Sequence, residues 1–487
     1  MTASSTVPAS TVPASTVPWR AVVLSLLALA WLAGTTGSLR AGQLGVLAVV
    51  AVTGTVVVVS RDPRRRGVAA TAGTLTLLAG IPVSRLPGDR SLLLLVLVGV
   101  LGLGGAALVG ASRRHLPRGA LLVLLLVGGL AVATALGGHP GGLVALGLVA
   151  ASFVPVLLVV GSLDGPGRRQ VVDVLVALAL GEAVLAVVEP FVFPEHLWAP
   201  AQLGSAGQVV PLTNELLGSL ERSQGTLGHP LPLGMMLVVA LALSVRYHSR
   251  APVAARAAVQ GLLLLGIVVA GARSSLLMAV VVVLLLSGRS LTPARLVAAM
   301  SAAVAAVAAL VATSPDVSVR VGEIAESGSW QHRLGAVRSL GRLLLWQDLP
   351  DVLLGNGYGS TSTVASEGLL QNDGFAAVDN QFVLLLSQGG LLALGLLLAL
   401  LALAVGRGER ATRPAVLCVA GTMMVFDVLL WPGASVVLGI VLGLALASKT
   451  APARTEPPPA LADVRAAGAP TATDAPAAVV VGQGPAT

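Results

Sequence analysis

Cysteine occurs once in 487 residues, at Cys418, inside an apolar run. No intramolecular disulfide can form, and no cysteine-rich metal site either. Lysine also occurs once, at Lys449. Charged residues make up 11% of the chain and aromatic residues 3%, whereas about a quarter of a soluble domain is charged. The six histidines (115, 139, 196, 229, 248 and 332) show no His-Glu-x-x-His spacing. There is neither a P-loop nor a Gly-rich nucleotide fingerprint. These shortages exclude an ordinary cytosolic enzyme and point to no metal or cofactor. What is abundant is apolar: 55% hydrophobic residues, with a mean hydropathy of +0.90. Apolar runs long enough to cross a bilayer core of about 30 Å make the expected fold class all-α, a polytopic transmembrane helical bundle.

Measured against about 20 apolar residues per crossing, the chain offers about fourteen spans (12–14), near 21–39, 41–60, 68–86, 91–112, 119–137, 143–163, 171–188, 231–247, 257–271, 275–288, 296–313, 380–405, 414–432 and 433–448. Trp431-Pro432-Gly433 marks a tight turn between the last two. Basic residues stay on the cytoplasmic side. With both termini inside, 21 of the 30 Lys and Arg fall on inner segments. The net charge of +8 is therefore a topology signal, not a nucleic-acid patch. The multi-pass domain spans 19–449. Residues 1–18 repeat Ser-Thr-Val-Pro-Ala, and the tail 450–487 is rich in Ala and Pro. Both are expected to be disordered, the tail on the cytoplasmic side.

Two outer segments, about 189–230 and 314–379, are longer than simple connections and should contain short helices. The second holds an amphipathic candidate at 330–346. On a helical wheel Trp330, Leu334, Val337, Leu340, Leu344 and Leu345 share a face, and Arg333 falls on that apolar side. The 32 residues from 257 to 288 contain Gly271-Ala272-Arg273-Ser274-Ser275 at their centre. As helix they reach about 48 Å, short of the roughly 60 Å that two full crossings need. Arg273 should therefore sit within the outer leaflet, where a charge is costly unless an anion pairs with it. Glu182 and Asp427 lie inside spans, as proton or cation ligands or as partners of buried arginines. Asp173 lies near a cytoplasmic end. Gly355-Asn356-Gly357-Tyr358-Gly359 reads as a turn that admits close backbone approach.

At these same places the chain resembles the O-antigen ligase and O-antigen polymerase family of membrane glycosyltransferases. Arg222-Ser223-Gln224-Gly225-Thr226-Leu227-Gly228-His229-Pro230 is similar to the family's Arg-x-x-Gly-Thr-Phe-Gly-Asn-Pro segment. Gly271 to Ser275 resembles its Ser-Arg-Ser/Gly apex. Arg333 followed by Leu353-Leu354-Gly355-Asn356-Gly357 resembles its Arg, helix and Pro-Leu-x-Gly-x-Gly. Asp379-Asn380-Gln381-Phe382 and Gln388-Gly389-Gly390-Leu391-Leu392 resemble its His-Asn-x-Tyr/Phe-Leu and Glu-x-Gly-Leu-Leu-Gly. The resemblance covers roughly 210–405. Two departures stand out: Asp379 replaces the family His, and fourteen spans exceed the ligases' usual twelve. Both favour a polymerase or another transferase of the family over a lipid A ligase.

The resemblance implies transfer of glycan from a polyprenyl-diphosphate carrier, on the outer face of the cytoplasmic membrane, to an acceptor glycan or lipid. It implies neither metal nor nucleotide. Membrane lipids and other polysaccharide-assembly proteins are the expected partners, with no nucleic acid. Arginine binds phosphate oxygens bidentately, so Arg222 and Arg273 are expected to stabilise the leaving diphosphate, and Asp379 to act as general base. Arg333, Arg338, Asn380, His332 and Glu221 are expected substrate contacts, with Glu221 and His332 the next candidates for base. A different role for Asp379 is a helix N-cap. The rival function is a lipid-linked glycan flippase or other transporter, which the span count also suits.

Overall fold

The computed structural model describes residues 39–80, 98–99, 102, 104–106, 117–192, 212–214, 217, 220–249, 251–287, 328–371 and 377–447. Contacts divide the chain into 1–448 and 449–487, and everything below concerns the first unit. The expected spans 21–39, 91–112 and 296–313 lie wholly or mostly outside the described residues. So do the terminal segments 1–18 and 450–487.

Among the described residues the chain is helical. In order come α1 (Leu39–Val59), α2 (Pro63–Gly80), α3 (Ala120–Leu136), α4 (Pro140–Ser162), α5 (Gly165–Val192), α6 (Pro230–Tyr247), α7 (Val253–Ala270), α8 (Arg273–Ser287), α9 (Gly328–Leu345), α10 (Leu349–Leu354), α11 (Thr361–Ser366), α12 (Gln381–Arg407), α13 (Arg413–Met423) and α14 (Pro432–Leu446). Two 3₁₀ turns, Gly225–Leu227 and Val428–Leu430, precede α6 and α14. Five helices (α4, α5, α6, α7 and α12) are long and apolar enough to cross a membrane. Shorter apolar stretches lie in α1, α3, α8 and α14.

Small residues set how closely these helices approach. Gly439 and Gly443 stand one turn apart on α14 and face α4. A Cβ at Gly439 would lie 2.8 Å from the Phe153 carbonyl oxygen, and one at Gly443 would lie 2.8 Å from Val160 Cβ. In a lipid solvent such backbone contact is what holds helices together. The Ser152 and Ser435 hydroxyls meet at 2.7 Å across the same interface. Helix α6 is the central post, buried from Pro230 through Ser244 and packed against α5, α7, α8 and α13.

One end of the bundle carries a set of ion pairs. There Arg64 donates to both oxygens of Asp164, at 2.7–3.1 Å. His248 Nε2 meets Asp173 at 2.7 Å, and Arg168 meets Glu409 at 3.4 Å. The opposite end gathers the C-terminal ends of α2, α5, α7 and α13 with the N-terminal ends of α6, α8, α12 and α14.

Two expected elements differ from the structure. The run 414–432 is not one helix: α13 stops at Met423 and the chain unwinds to Trp431. The reason lies in α12. Asn380 Nδ2 takes the Met424 carbonyl at 2.9 Å, and Gln381 Oε1 accepts from Leu429 N at 2.8 Å. Backbone groups left by the missing turn are thereby satisfied, the condition for non-helical chain at membrane depth. The second difference is in α9. Its packed stripe is His332, Ala336, Ser339 and Leu343, two of the four small, set against α12 and the 364–370 segment. Trp330, Val337, Leu344 and Leu345 point outward, Leu345 being 79% exposed. The small Ala336 and Ser339 let α9 lie close to α12, with Leu343 filling the space beside them, while Trp330, Val337, Leu344 and Leu345 are left to the surroundings.

Candidate active site

The described residues of 212–230 are tied to one another and to the bundle at several points. Thr213 and Glu221 form an antiparallel bridge, flanked by hydrogen bonds from Asn214 N to Leu220 O and from Arg222 N to Leu212 O, both 2.7 Å. Asn214 Nδ2 donates to the Val268 and Val269 carbonyls at 3.0 Å. These are among the last carbonyls of α7, where the i+4 donors of the helix run out; Val268 O also takes the cap N–H of Gly271 at 3.0 Å. Arg222 Nε donates to Thr213 O at 3.0 Å, which holds the stem of that side chain.

Gly271 closes α7 in the left-handed conformation, φ +62°. A Cβ there would stand 2.8 Å from Asn214 Cγ and 3.0 Å from Arg222 Cγ. The apex of the α7–α8 hairpin thus rests on the Arg222 stem, and Arg273 opens α8 two residues later. The motifs around Arg222 and Arg273, 51 positions apart in sequence, are one packed unit.

Arg333 completes the group from α9. It acts through space on both Arg222 and Arg273. Burial first, and the Arg333 charge second, hold the Arg222 guanidinium below the ordinary arginine range. Burial also lowers Arg333, and the neighbouring Asp379 carboxylate offsets part of that. Arg333 Nε is buried without a hydrogen-bond partner. Arg333 thus repels both Arg222 and Arg273 in a half-buried setting, and a multivalent anion placed among them would relieve both the repulsion and the desolvation.

Asp379 lies at the entry to α12, but the N-cap is Asn380. Its Oδ1 accepts from Phe382 N at 3.0 Å and from Val383 N at 3.1 Å. With Nδ2 on Met424 O, both ends of the Asn380 side chain are engaged with backbone. Asp379 is half-buried and acts electrostatically on Arg333 and on the buried Asp427. Trp431 Nε1 donates to Asp427 Oδ1 at 3.1 Å, and its ring lies 5.1 Å from that of His229, the N-cap of α6. Of the other expected contacts, His332 is buried on the packed face of α9, whereas Arg338 and Glu221 are exposed.

The glycine turn is a wedge. Asn356 N and Gly357 N donate to the Ser387 and Gln388 carbonyls at 2.9 Å. Those carbonyls are set free where α12 breaks at Gly390, φ +62°. A Cβ at Gly355 would overlap the Gly389 backbone, and one at Gly390 would overlap the Leu353 carbonyl. On its other side Tyr358 N donates to Thr134 Oγ1 at 2.8 Å. The loop therefore fixes the start of α12, and Asp379 with it, against α3.

From the sequence Glu182 is expected to be a proton or cation ligand or a partner of a buried arginine, and Glu189 has no role. Both grip the Arg222 segment: Glu189 accepts from Gln224 N and Gly225 N, and Glu182 from Thr226. The available signal was their seven-residue spacing, which puts them on one face of a helix. Among the described residues no group of His, Cys, Asp and Glu is arranged to hold a metal ion.

A multi-pass helical membrane protein with cations gathered at one end of its bundle is the class these observations define. The profile of the WcaD colanic acid polymerase family matches residues 170–441, more than half of the chain and the part that holds this entire site. The chain belongs to that family of membrane polysaccharide polymerases, in keeping with the O-antigen polymerase and ligase resemblance. No individual curated protein matches it.

Proposed function

We propose that the protein polymerises glycan repeat units carried on a polyprenyl diphosphate, at the outer face of the cytoplasmic membrane. The observation that supports this reading best is the convergence of Arg222, Arg273 and Arg333. A lipid diphosphate is a multivalent anion at the membrane surface, and guanidinium groups bind phosphate oxygens in pairs without losing charge. As the anomeric carbon–oxygen bond breaks, negative charge builds on the departing diphosphate, and fixed cations stabilise it. The acceptor hydroxyl attacks the anomeric carbon, and Asp379 takes its proton.

The surroundings favour the same reading. The basic clusters around Arg64, Arg168 and Arg246 gather at the end of the bundle opposite the three arginines. With Lys and Arg retained inside, the arginine end faces outward, both termini are cytoplasmic and the span count is about fourteen. The outward stripe of α9 (Trp330, Val337, Leu344 and Leu345) then lies against lipid at the interface, where Trp is favoured.

The deciding experiment is cell-free. Protein reconstituted in liposomes is given a lipid-diphosphate-linked repeat unit, and free carrier diphosphate and longer glycan are measured. A polymerase releases one diphosphate for each bond formed. A flippase moves the lipid without releasing any, and that result would refute the proposal.

A further inference from the structure

Four consecutive residues after Arg222 are fastened to one face of α5. Ser223 Oγ donates to Ala186 O at 2.7 Å. Gln224 N and Gly225 N both donate to Glu189 Oε2 at 2.9 Å. Thr226 N donates to Glu182 Oε2 at 2.9 Å. Glu182, Ala186 and Glu189 follow one another at helical spacing, so they present a single row to the chain. Each carboxylate is 2% exposed.

The proton inventory at Thr226 settles which form Glu182 takes. Thr226 Oγ1 lies 2.7 Å from Ala79 O and in short contact with Glu182 Oε1. A hydroxyl has one proton to give. A carbonyl oxygen can only accept, so the contact with Ala79 O takes the hydroxyl's proton. The contact between Glu182 Oε1 and Thr226 Oγ1 then needs a proton of its own, and the carboxyl group is its source.

We propose that Glu182 is a neutral carboxylic acid that donates to Thr226 and accepts from its backbone, and that with Glu189 it is a positioning residue for Arg222. It works as a two-way hydrogen-bonding group, not as a proton or cation path. The positioning role rests on the reading of Arg222 as a diphosphate ligand; the protonation state does not.

Glu182→Gln tests the first point, because the amide accepts at Oε1 and donates at Nε2 in the same shape. We expect turnover within about twofold of the parent. In the infrared spectrum of purified protein without substrate, the carboxylic-acid carbonyl band above amide I should lose intensity in this variant. Loss of turnover in a normally inserted Glu182→Gln protein, or an unchanged band, would overturn the proposal. Glu182→Ala tests positioning. Among correctly inserted molecules, KM for the lipid-linked donor should rise roughly tenfold with a smaller change in kcat. An unchanged KM would overturn the positioning role. Should Arg222→Ala keep full turnover, the diphosphate reading fails instead, while the infrared result still decides the state of Glu182.

Discussion

Gly271→Ala probes the contact on which the candidate site turns. Three effects add at this position. The left-handed conformation, φ +62°, costs an L-residue roughly 1–2 kcal/mol. The new methyl would stand 2.8 Å from Asn214 Cγ. Asn214 is fully buried and bound through Nδ2 to two carbonyls, so it cannot yield. The methyl would also stand 3.0 Å from Arg222 Cγ, and that stem is the softer neighbour. We expect a stability loss of about 2 kcal/mol and a displacement of Arg222 by a few tenths of an ångström. Small misplacements of charge-stabilising groups are costly to rate, so polymer formation should fall roughly tenfold or more, beyond what the folded fraction explains. Gly261→Ala, on the same helix with nothing within 4 Å, is the control and should be neutral or slightly stabilising. The assay is initial-rate polymer synthesis in liposomes, normalised to monodisperse protein. A Gly271→Ala rate equal to that of Gly261→Ala would refute the reasoning.

Arg222→Lys, Arg273→Lys and Arg333→Lys keep charge but lose the planar fork; each should reduce polymer synthesis about tenfold, since charge-assisted contacts contribute about 1.5–3 kcal/mol. Equal activity in all three would leave only a nonspecific positive field. Asp379→Asn should insert normally yet lose most transfer, because the cap of α12 is Asn380 and an amide is a far poorer base; retained activity moves the base to Glu221 or His332. Asn380→Ala should lower thermal stability by about 2 kcal/mol, through the lost cap and the lost bond to Met424 O, and an unchanged melting midpoint would contradict this. Gly390→Ala should impair assembly of the bundle, since its Cβ overlaps the Leu353 carbonyl; normal expression of monodisperse protein would show that the α12 break tolerates a side chain. Reporter fusions at Glu367 should read outside and at Gly408 inside, and the reverse result would remove the outer-face assignment.

The sequence alone determined the helical membrane class. Composition leaves no other solvent for so many apolar runs, and the bilayer thickness fixes their length. It also located the ends of most described helices, because Pro230, Gly271 and Pro432 announce starts and stops through local backbone chemistry. Arg273 and Arg333 were legible one at a time, as charges in places where charge is costly, whereas Arg222 and Asp379 were picked out by the family resemblance.

Only tertiary structure decided how they combine. That α13 stops at Met423 depends on Asn380 and Gln381, more than forty residues away in sequence, capturing its backbone groups. Local apolarity across 414–432 gives no sign of that. The wheel for 330–346 identified an amphipathic helix but not which face packs. In lipid, large apolar side chains gain little by turning inward and small ones gain close contact. Glu182 read as a proton or cation ligand or an arginine partner, and Glu189 only as the start of an outer segment; the structure shows both accepting from the 224–226 backbone. Hydrogen bonds between residues 35 to 44 positions apart leave no periodic trace in a sequence, because no local repeat sets their spacing.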